Sequence, residues 1–122
     1  MNTLAIIIIC FLFFASPAAA YDAWTKTDLA LEGAAIGLMA ADWAQTRTVS
    51  RNPDKYHETN PILGDHPSTD TVDRYFAASI LGHVAVAHCI PARWRQWWAG
   101  AFIAIEGATV GHNNSIGVGM RF

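Results

Sequence analysis

Three apolar stretches of helical length dominate the chain, and each carries ionisable side chains among its apolar residues. The stretches run from Leu29 to Trp43, from Tyr75 to Ile90 and from Trp97 to Val110. An ionisable group in an apolar surrounding is costly to bury unless it is neutral or partnered. This constraint favours a helical bundle in which the polar side chains of different helices face one another.

The composition limits the partners that the chain can have. Hydrophobic residues make up 52% of the 122 residues and charged residues 15%, against about 25% in typical soluble domains. The formal net charge is -2, and the sequence has no long run of one sign. No nucleic-acid partner is expected, because phosphate binding needs clustered Lys and Arg.

Residues 1–20 have the pattern of a signal peptide or of an uncleaved signal-anchor helix. Leu4 to Phe14 forms an apolar run of the length seen in export signals, although no Lys or Arg precedes it. Ala18, Ala19 and Ala20 then place small residues where a signal peptidase reads the chain, which predicts cleavage before Tyr21. Residues 21–122 are expected to form a single helical membrane domain.

The predicted fold class is all-α: a small transmembrane helical bundle with three mature spans. A hydrocarbon core takes about 20 helical residues, and the candidate spans are Trp24 to Trp43, Val72 to Ile90 and Trp94 to His112. A mild excess of Arg and Lys at residues 47–74 predicts a bacterial inner-membrane protein with a cytoplasmic middle loop. The alternative is an exported bundle that is soluble in the periplasm after signal cleavage.

The last residues of the chain have a strand-like pattern. Small or polar residues alternate with apolar ones from Ser115 to Phe122. The sequence therefore predicts a short strand-like tail or a loose tail packed on the membrane surface.

Glycines at four-residue spacing mark two predicted helices. Gly33 and Gly37 lie in the first, and Gly107 and Gly111 in the third. In lipid this spacing lets two helix backbones approach closely. Since three short spans enclose a thin core, a homo-oligomer or a membrane-protein partner is expected in addition to the lipid bilayer.

The polar side chains fall on one stripe per helix when successive residues are rotated by about 100°. His88 then points away from His83. With alternating helix directions, Glu32 faces His83 in an outer layer, and Asp42 faces Glu106 in an inner layer. The candidate polar site comprises Glu32, Asp42, Thr46, His83, Glu106, Thr109 and Asn113. Two carboxyl groups in a low dielectric share a proton, which suits proton handling or cation binding; a structural network is the alternative.

Metal, cofactor and hydrolase chemistry receive little support from the sequence. No H-x3-H, HExxH or CxxC spacing is present, so neither a metal nor a cofactor is predicted. Ser79 stands four residues before His83, but that spacing is common by chance.

The loop between the first two helices contains an apolar element in a polar setting. Ile62 and Leu63 lie between X-Pro pairs that interrupt any helix, so the loop is expected to fold back onto the bundle. Glu58 and Asn60, beside Pro61, would then cap a helix end; a ligand or catalytic role is the alternative.

Two short motifs in this region carry a resemblance. The segment D-W-A-Q-T at residues 42–46 and the segment E-T-N-P-I-L-G at residues 58–64 resemble small bacterial and phage membrane proteins of uncharacterised families. Those proteins carry D-x-x-x-T at a helix end and E-x-N-P-[IL]-[LM] in the next loop. The resemblance covers the middle third of the chain and implies a compact helical membrane protein, without supplying an activity.

Three functional hypotheses follow from the sequence. The first is an accessory or assembly protein that acts through helix–helix interactions. The second is a proton- or cation-linked membrane protein, and the third is a membrane-embedded enzyme. The second and third would use the same side chains, namely Glu32, Asp42, His83 and Glu106.

Overall fold

A computed structural model describes residues 22–121, and within this range the chain forms three α-helices and no strand. Helix α1 spans Lys26–Arg51, α2 spans Thr69–Cys89 and α3 spans Ala92–Ser115. The predicted all-α class and the helical bundle are confirmed for this range. The signal or anchor predicted for residues 1–20, and its cleavage position, lie outside the described residues.

Local sequence explains where α1 begins and ends. Thr25 and Asp28 form a capping box, in which each side chain accepts a hydrogen bond from the other residue's backbone N–H at 3.0 and 2.9 Å. The helix ends at Arg51 because Asn52 precedes Pro53, and a residue before proline is disfavoured in the helical region. Helix α1 thus continues past Trp43, the predicted end of its span, as far as the loop.

The starts of α2 and α3 are fixed by polar caps of different origin. The Ser68 hydroxyl accepts from the backbone N–H of Thr71 at 3.2 Å and so caps the start of α2. Helix α3 is instead capped from a distance, since the Asp22 carboxylate accepts from the backbone N–H of Ala92 at 3.0 Å. Pro91 separates α2 from α3 and gives them their antiparallel turn.

Helix α1 is the centre of the bundle. It packs against both α2 and α3, whereas α2 and α3 contact each other at only a few positions. The buried apolar side chains are mostly small, which lets the helices approach α1 closely. They are Ala35, Met39, Ala44, Val49, Val72, Phe76, Ala87, Ala99 and Val118.

A buried arginine ties the N-terminal segment to the α2–α3 turn. Arg95 donates from Nε to the Ala87 carbonyl oxygen at 3.0 Å and from Nη1 to the Ala23 carbonyl oxygen at 3.3 Å. Its guanidinium also lies 4.9 Å from the centre of the Trp24 ring. The side chain therefore holds residues 22–24 against the start of α3.

The C-terminal tail does not form the predicted strand as far as residue 121. After α3 it turns at Gly117, whose φ of 83° suits glycine, and runs back along α1 with Val118 buried. The Thr48 hydroxyl donates to the Gly119 carbonyl oxygen at 2.7 Å. The alternating pattern reflects one buried valine against a helix, and the described residues offer no neighbouring strand for the tail to pair with.

The presence of three helices does not establish that they span a membrane. Within residues 22–121, no helix is both long enough and apolar enough to cross a bilayer. The transmembrane arrangement predicted from the sequence therefore stays a prediction.

Within residues 22–121 the glycine pairs do not mediate close helix packing. A Cβ atom added at Gly33, Gly37 or Gly111 would meet no atom within 4 Å, and one at Gly107 would touch only the Leu38 side chain at 3.8 Å. Gly33 and Gly37 lie exposed on α1. The predicted role of these residues in packing between separate chains stays a prediction.

Candidate functional site

A pocket of about 660 Å³ lies where α2 and α3 diverge, with α1 behind it and the middle loop at one end. Its ionisable lining residues are Asp42, Glu58, His83 and Glu106, and its aromatic lining residues are Tyr75, Phe76, Trp98 and Phe102. In the part of the chain that the structure describes, no Lys or Arg lines this pocket. Its polar surface is therefore anionic.

Glu32 on α1 and His83 on α2 form a buried contact. The His83 Nε2 atom lies 3.0 Å from Glu32 Oε2, and the two residues are 2% and 7% exposed. Neither His83 Nδ1 nor Glu32 Oε1 has a hydrogen-bond partner among residues 22–121. The structure thus brings together the outer pair of the predicted site and leaves one polar atom of each side chain unbonded.

Aromatic rings from α3 hold the imidazole of His83 in place. The ring stacks on Trp98 with centroids 5.4 Å apart and meets the Phe102 ring edge-on at 4.3 Å. The Trp98 indole N–H also donates to the backbone carbonyl of His83 at 3.2 Å. These contacts fix the ring orientation on the pocket wall.

Asp42 and Glu106 form the inner carboxyl pair. Their side chains hydrogen-bond to each other. Burial raises the pKa of Asp42 to about 7, and the charge of Glu106 adds to this effect. Burial also raises the pKa of Glu106, partly offset by the hydrogen bond from Asp42 and by the nearby His83. At pH 7 Asp42 is therefore about half protonated, so the pair gains or loses a proton near neutral pH.

The remaining predicted site residues divide between the pair and the helix backbone. The Thr46 hydroxyl and the Asn113 amide each donate to Asp42 Oδ1 at 3.4 Å. Thr109 borders the pocket, but its hydroxyl donates to the Ile105 carbonyl oxygen at 3.0 Å within its own helix. Thr46 and Asn113 thus support the carboxyl pair directly, and Thr109 does not.

Gln45 is a site residue that the sequence reasoning missed. It is 0% exposed, accepts from the Asn113 amide at 3.0 Å and donates to Asn114 Oδ1 at 2.9 Å. Its position three residues after Asp42 placed it one turn further along a similar face.

The middle loop closes one end of the pocket, but it does not cap a helix as predicted. Glu58 Oε1 accepts from the backbone N–H groups of Thr59 and Asn60, both at 2.9 Å, so it stabilises the loop itself. Asn60 Oδ1 accepts from the N–H of Ile62 at 3.0 Å in the same way. The correction has a simple cause: these acceptors find nearer amide donors within their own turn.

The loop does fold back onto the bundle through Asn60. Its amide donates to the Tyr75 hydroxyl on α2 at 2.9 Å. Leu63 lines the pocket, whereas Ile62 is 77% exposed and Pro61 also faces outward. Only one of the two apolar loop residues is therefore used in the fold-back.

His88 and Ser79, which the sequence does not favour as site residues, take no part in a contact with the His83 imidazole. His88 is exposed and lies against Trp24, with ring centroids 5.7 Å apart, so it is remote from His83. Ser79 borders the pocket, but the unbonded Nδ1 of His83 shows that its hydroxyl is not paired with the imidazole. No group of three His, Cys, Asp or Glu side chains suited to a metal ion occurs within residues 22–121.

Comparisons of the chain with protein-family models, with curated proteins and with solved structures gave no match. The resemblance of residues 42–46 and 58–64 to small membrane proteins stays a prediction. The function is therefore argued from the chemistry of the site.

Proposed function

We propose that the protein binds a cation in the pocket between α2 and α3 and releases a proton as the cation enters. One observation carries this proposal: Asp42 and Glu106 form a hydrogen-bonded carboxyl pair beside the pocket, and burial raises the pKa of Asp42 to about 7. A positive charge nearby favours ionised carboxylates and lowers their pKa. Cation and proton therefore compete for the same pair.

The charge distribution around the pair supports the same proposal. Glu58 at the loop end adds a further negative charge, and its field contributes to the raised pKa of Asp42. The lining described above contains no opposing Lys or Arg among residues 22–121. Clefts lined by one sign of charge concentrate ions of the opposite sign.

Calorimetry in two buffers tests the coupling. Titrations with K⁺ and with tetramethylammonium at pH 7 in phosphate and in HEPES, which differ in ionisation enthalpy, should give different heats. The difference should correspond to release of about half a proton per bound cation, since a group with a pKa near the working pH is half protonated. Binding should strengthen at pH 8, where no proton has to leave.

Matched variants locate the effect. Asp42→Asn should abolish the proton release, and Glu106→Gln should reduce it, because burial still raises the pKa of Asp42 when the neighbouring charge is removed. Each variant should weaken cation binding at least tenfold. Asp54→Asn removes the same charge from the exposed loop and should leave both unchanged. Equal heats in the two buffers, or equal losses in all three variants, would contradict the proposal.

The second candidate function is an assembly role through contacts between helices of separate chains. In this candidate the protein lies in a membrane, with its three helices as transmembrane spans. The assembly role is supported by the exposed Gly33 and Gly37, which no other part of the described chain covers, and by large exposed apolar side chains such as Leu81 and Trp97. The cation proposal does not depend on it.

Bulky substitution and extraction test this second candidate. Gly33→Leu should change the oligomeric state that is seen on native gels. Gly64→Leu cannot serve as the control, because Gly64 has a φ of 77° and a leucine there would strain the loop backbone. Ala77→Leu on the exposed face of α2 is the matched control. An unchanged oligomer in Gly33→Leu, or recovery of the chain without detergent, would count against the assembly role in a membrane.

A further inference from the structure

We infer that the cation is an organic ammonium ion with an apolar body, bound with its charged group at Asp42 and Glu106 and its body against aromatic rings. This inference rests on the proposed function, because it uses the same carboxyl pair as the charge site. It goes further by naming the chemical class of the ligand. Four features of the pocket carry it: the ring faces, the size, the donor set and an unbonded buried imidazole nitrogen.

The rings beside the carboxyl pair form a packed wall. Trp98 and Phe102 lie with centroids 4.9 Å apart and interplanar angle 53°, and both contact the His83 ring. Both line the same pocket as Asp42 and Glu106. Faces of aromatic rings attract ammonium groups, and the attraction grows when the site excludes water. The wall and the carboxyl pair therefore favour the same kind of charge.

The size of the pocket suits a molecule and not a bare ion. Its volume of about 660 Å³ falls within the range of about 300–1,000 Å³ that is usual for small-molecule sites. Hard inorganic cations take about six oxygen ligands in a close shell. The described residues provide no group of three acidic, His or Cys side chains for such a shell. An ammonium ion needs only counter-charge and ring faces.

The imidazole of His83 supplies an independent sign of a ligand. Its side chain is 0% exposed and lines the pocket, and Nε2 is engaged by Glu32. Nδ1 is left without a partner in residues 22–121, although buried polar atoms are almost always hydrogen-bonded. A ligand with one hydrogen-bonding group next to its ammonium would satisfy this atom; the probe described below lacks that group and tests the charge and the apolar body.

Benzyltrimethylammonium is the probe that tests this inference. Its neutral carbon isostere, neopentylbenzene, has the same shape without the charge, and tetramethylammonium has the charge without the apolar body. Binding is followed by the indole N–H signal of Trp98 in two-dimensional NMR of the full chain. The expected result is at least tenfold tighter binding of benzyltrimethylammonium than of tetramethylammonium or K⁺, with no saturable shift from neopentylbenzene.

Adjacent residues of α3 provide a matched pair of variants. Trp98→Leu, followed by calorimetry because it lacks the reporting indole, should weaken benzyltrimethylammonium binding at least tenfold. Trp97→Leu, at a side chain that is 76% exposed and outside this pocket, should not change it. Phe102→Leu, followed by the same probe and by calorimetry, keeps the test valid if Trp98→Leu fails to fold.

The outcomes separate this inference from the proposed function. If K⁺ or tetramethylammonium binds as tightly as benzyltrimethylammonium, the apolar body is not recognised and the inference is wrong, although the cation site stands. Unchanged affinity in Trp98→Leu or Phe102→Leu also overturns it. If no cation binds and no proton is released, the proposed function and the inference both fall.

Discussion

Replacing His83 with alanine should lower the free energy of unfolding by about 3–5 kcal/mol, which is a large part of the stability of a domain this size. The substitution removes the partner of Glu32 at 3.0 Å and leaves a carboxyl group 7% exposed without a hydrogen bond. It also opens a cavity against Trp98 and Phe102, which the ring now fills. Urea denaturation followed by circular dichroism measures the change.

His88→Ala is the matched control on the same helix. His88 is exposed and its ring contact is with Trp24 near the N-terminal segment, so its loss should cost less than about 1 kcal/mol. A second variant, Glu32→Gln, keeps the size of the side chain and an acceptor for His83. It should lose less stability than His83→Ala. Similar losses for His83→Ala and His88→Ala would contradict the buried Glu32–His83 contact.

The second large effect is a loss of stability as the pH rises. The pKa of Asp42 is about 7 in the folded chain, against an ordinary value of 3.8. The folded state therefore binds more protons than the unfolded state between these values, and stability falls with rising pH across that window. The difference corresponds to at most about 4 kcal/mol. We expect the melting temperature to fall by about 10 °C between pH 5 and pH 8.

Asp42→Asn isolates this effect from other titrating groups. Asparagine cannot ionise, and its amide can still donate to Glu106, so the variant should lose most of the pH dependence and be more stable than the parent chain at pH 8. Asp54→Asn, in the exposed loop, should follow the parent chain at every pH. Parallel melting curves for Asp42→Asn and the parent chain would show that Asp42 is not the group responsible.

Helical periodicity was enough to place the main polar contacts. The apolar stretches fix which side of each helix is buried, and the rotation of about 100° per residue then sets which polar residues face inward. This rotation places Glu32 opposite His83 and Asp42 opposite Glu106. The structure brings each pair together. Their depth follows from the alternating directions of the three helices.

Contacts outside the periodic stretches could not be predicted in this way. Gln45 lies past the apolar part of α1, and its partners Asn113 and Asn114 lie at the far end of α3. Arg95 is buried because its side chain bonds to the N-terminal segment at the Ala23 carbonyl oxygen. The contacts of Gln45 and Arg95 are made with residues distant in the sequence, and helical periodicity cannot predict such contacts. The direction of the Glu58 carboxylate likewise depends on which amides the turn presents.

The tail and the glycines show a second limit of sequence patterns. Alternation over residues 115–122 leads to a strand only if a neighbouring strand exists to pair with it. Up to residue 121 the tail instead packs one valine, Val118, on α1. Glycine at four-residue spacing permits close helix contact but does not require it. Gly33 and Gly37 satisfy the spacing and contact nothing else in the described chain.

Titration of the Asp42 carboxyl carbon by ¹³C NMR tests the central claim most directly, because that claim is a proton shared between Asp42 and Glu106 near neutral pH. The structure predicts a midpoint at about pH 7, which should fall in Glu106→Gln because the neighbouring charge is removed. A midpoint near the ordinary value of 3.8 would contradict the shared proton and with it the proposed exchange of proton for cation.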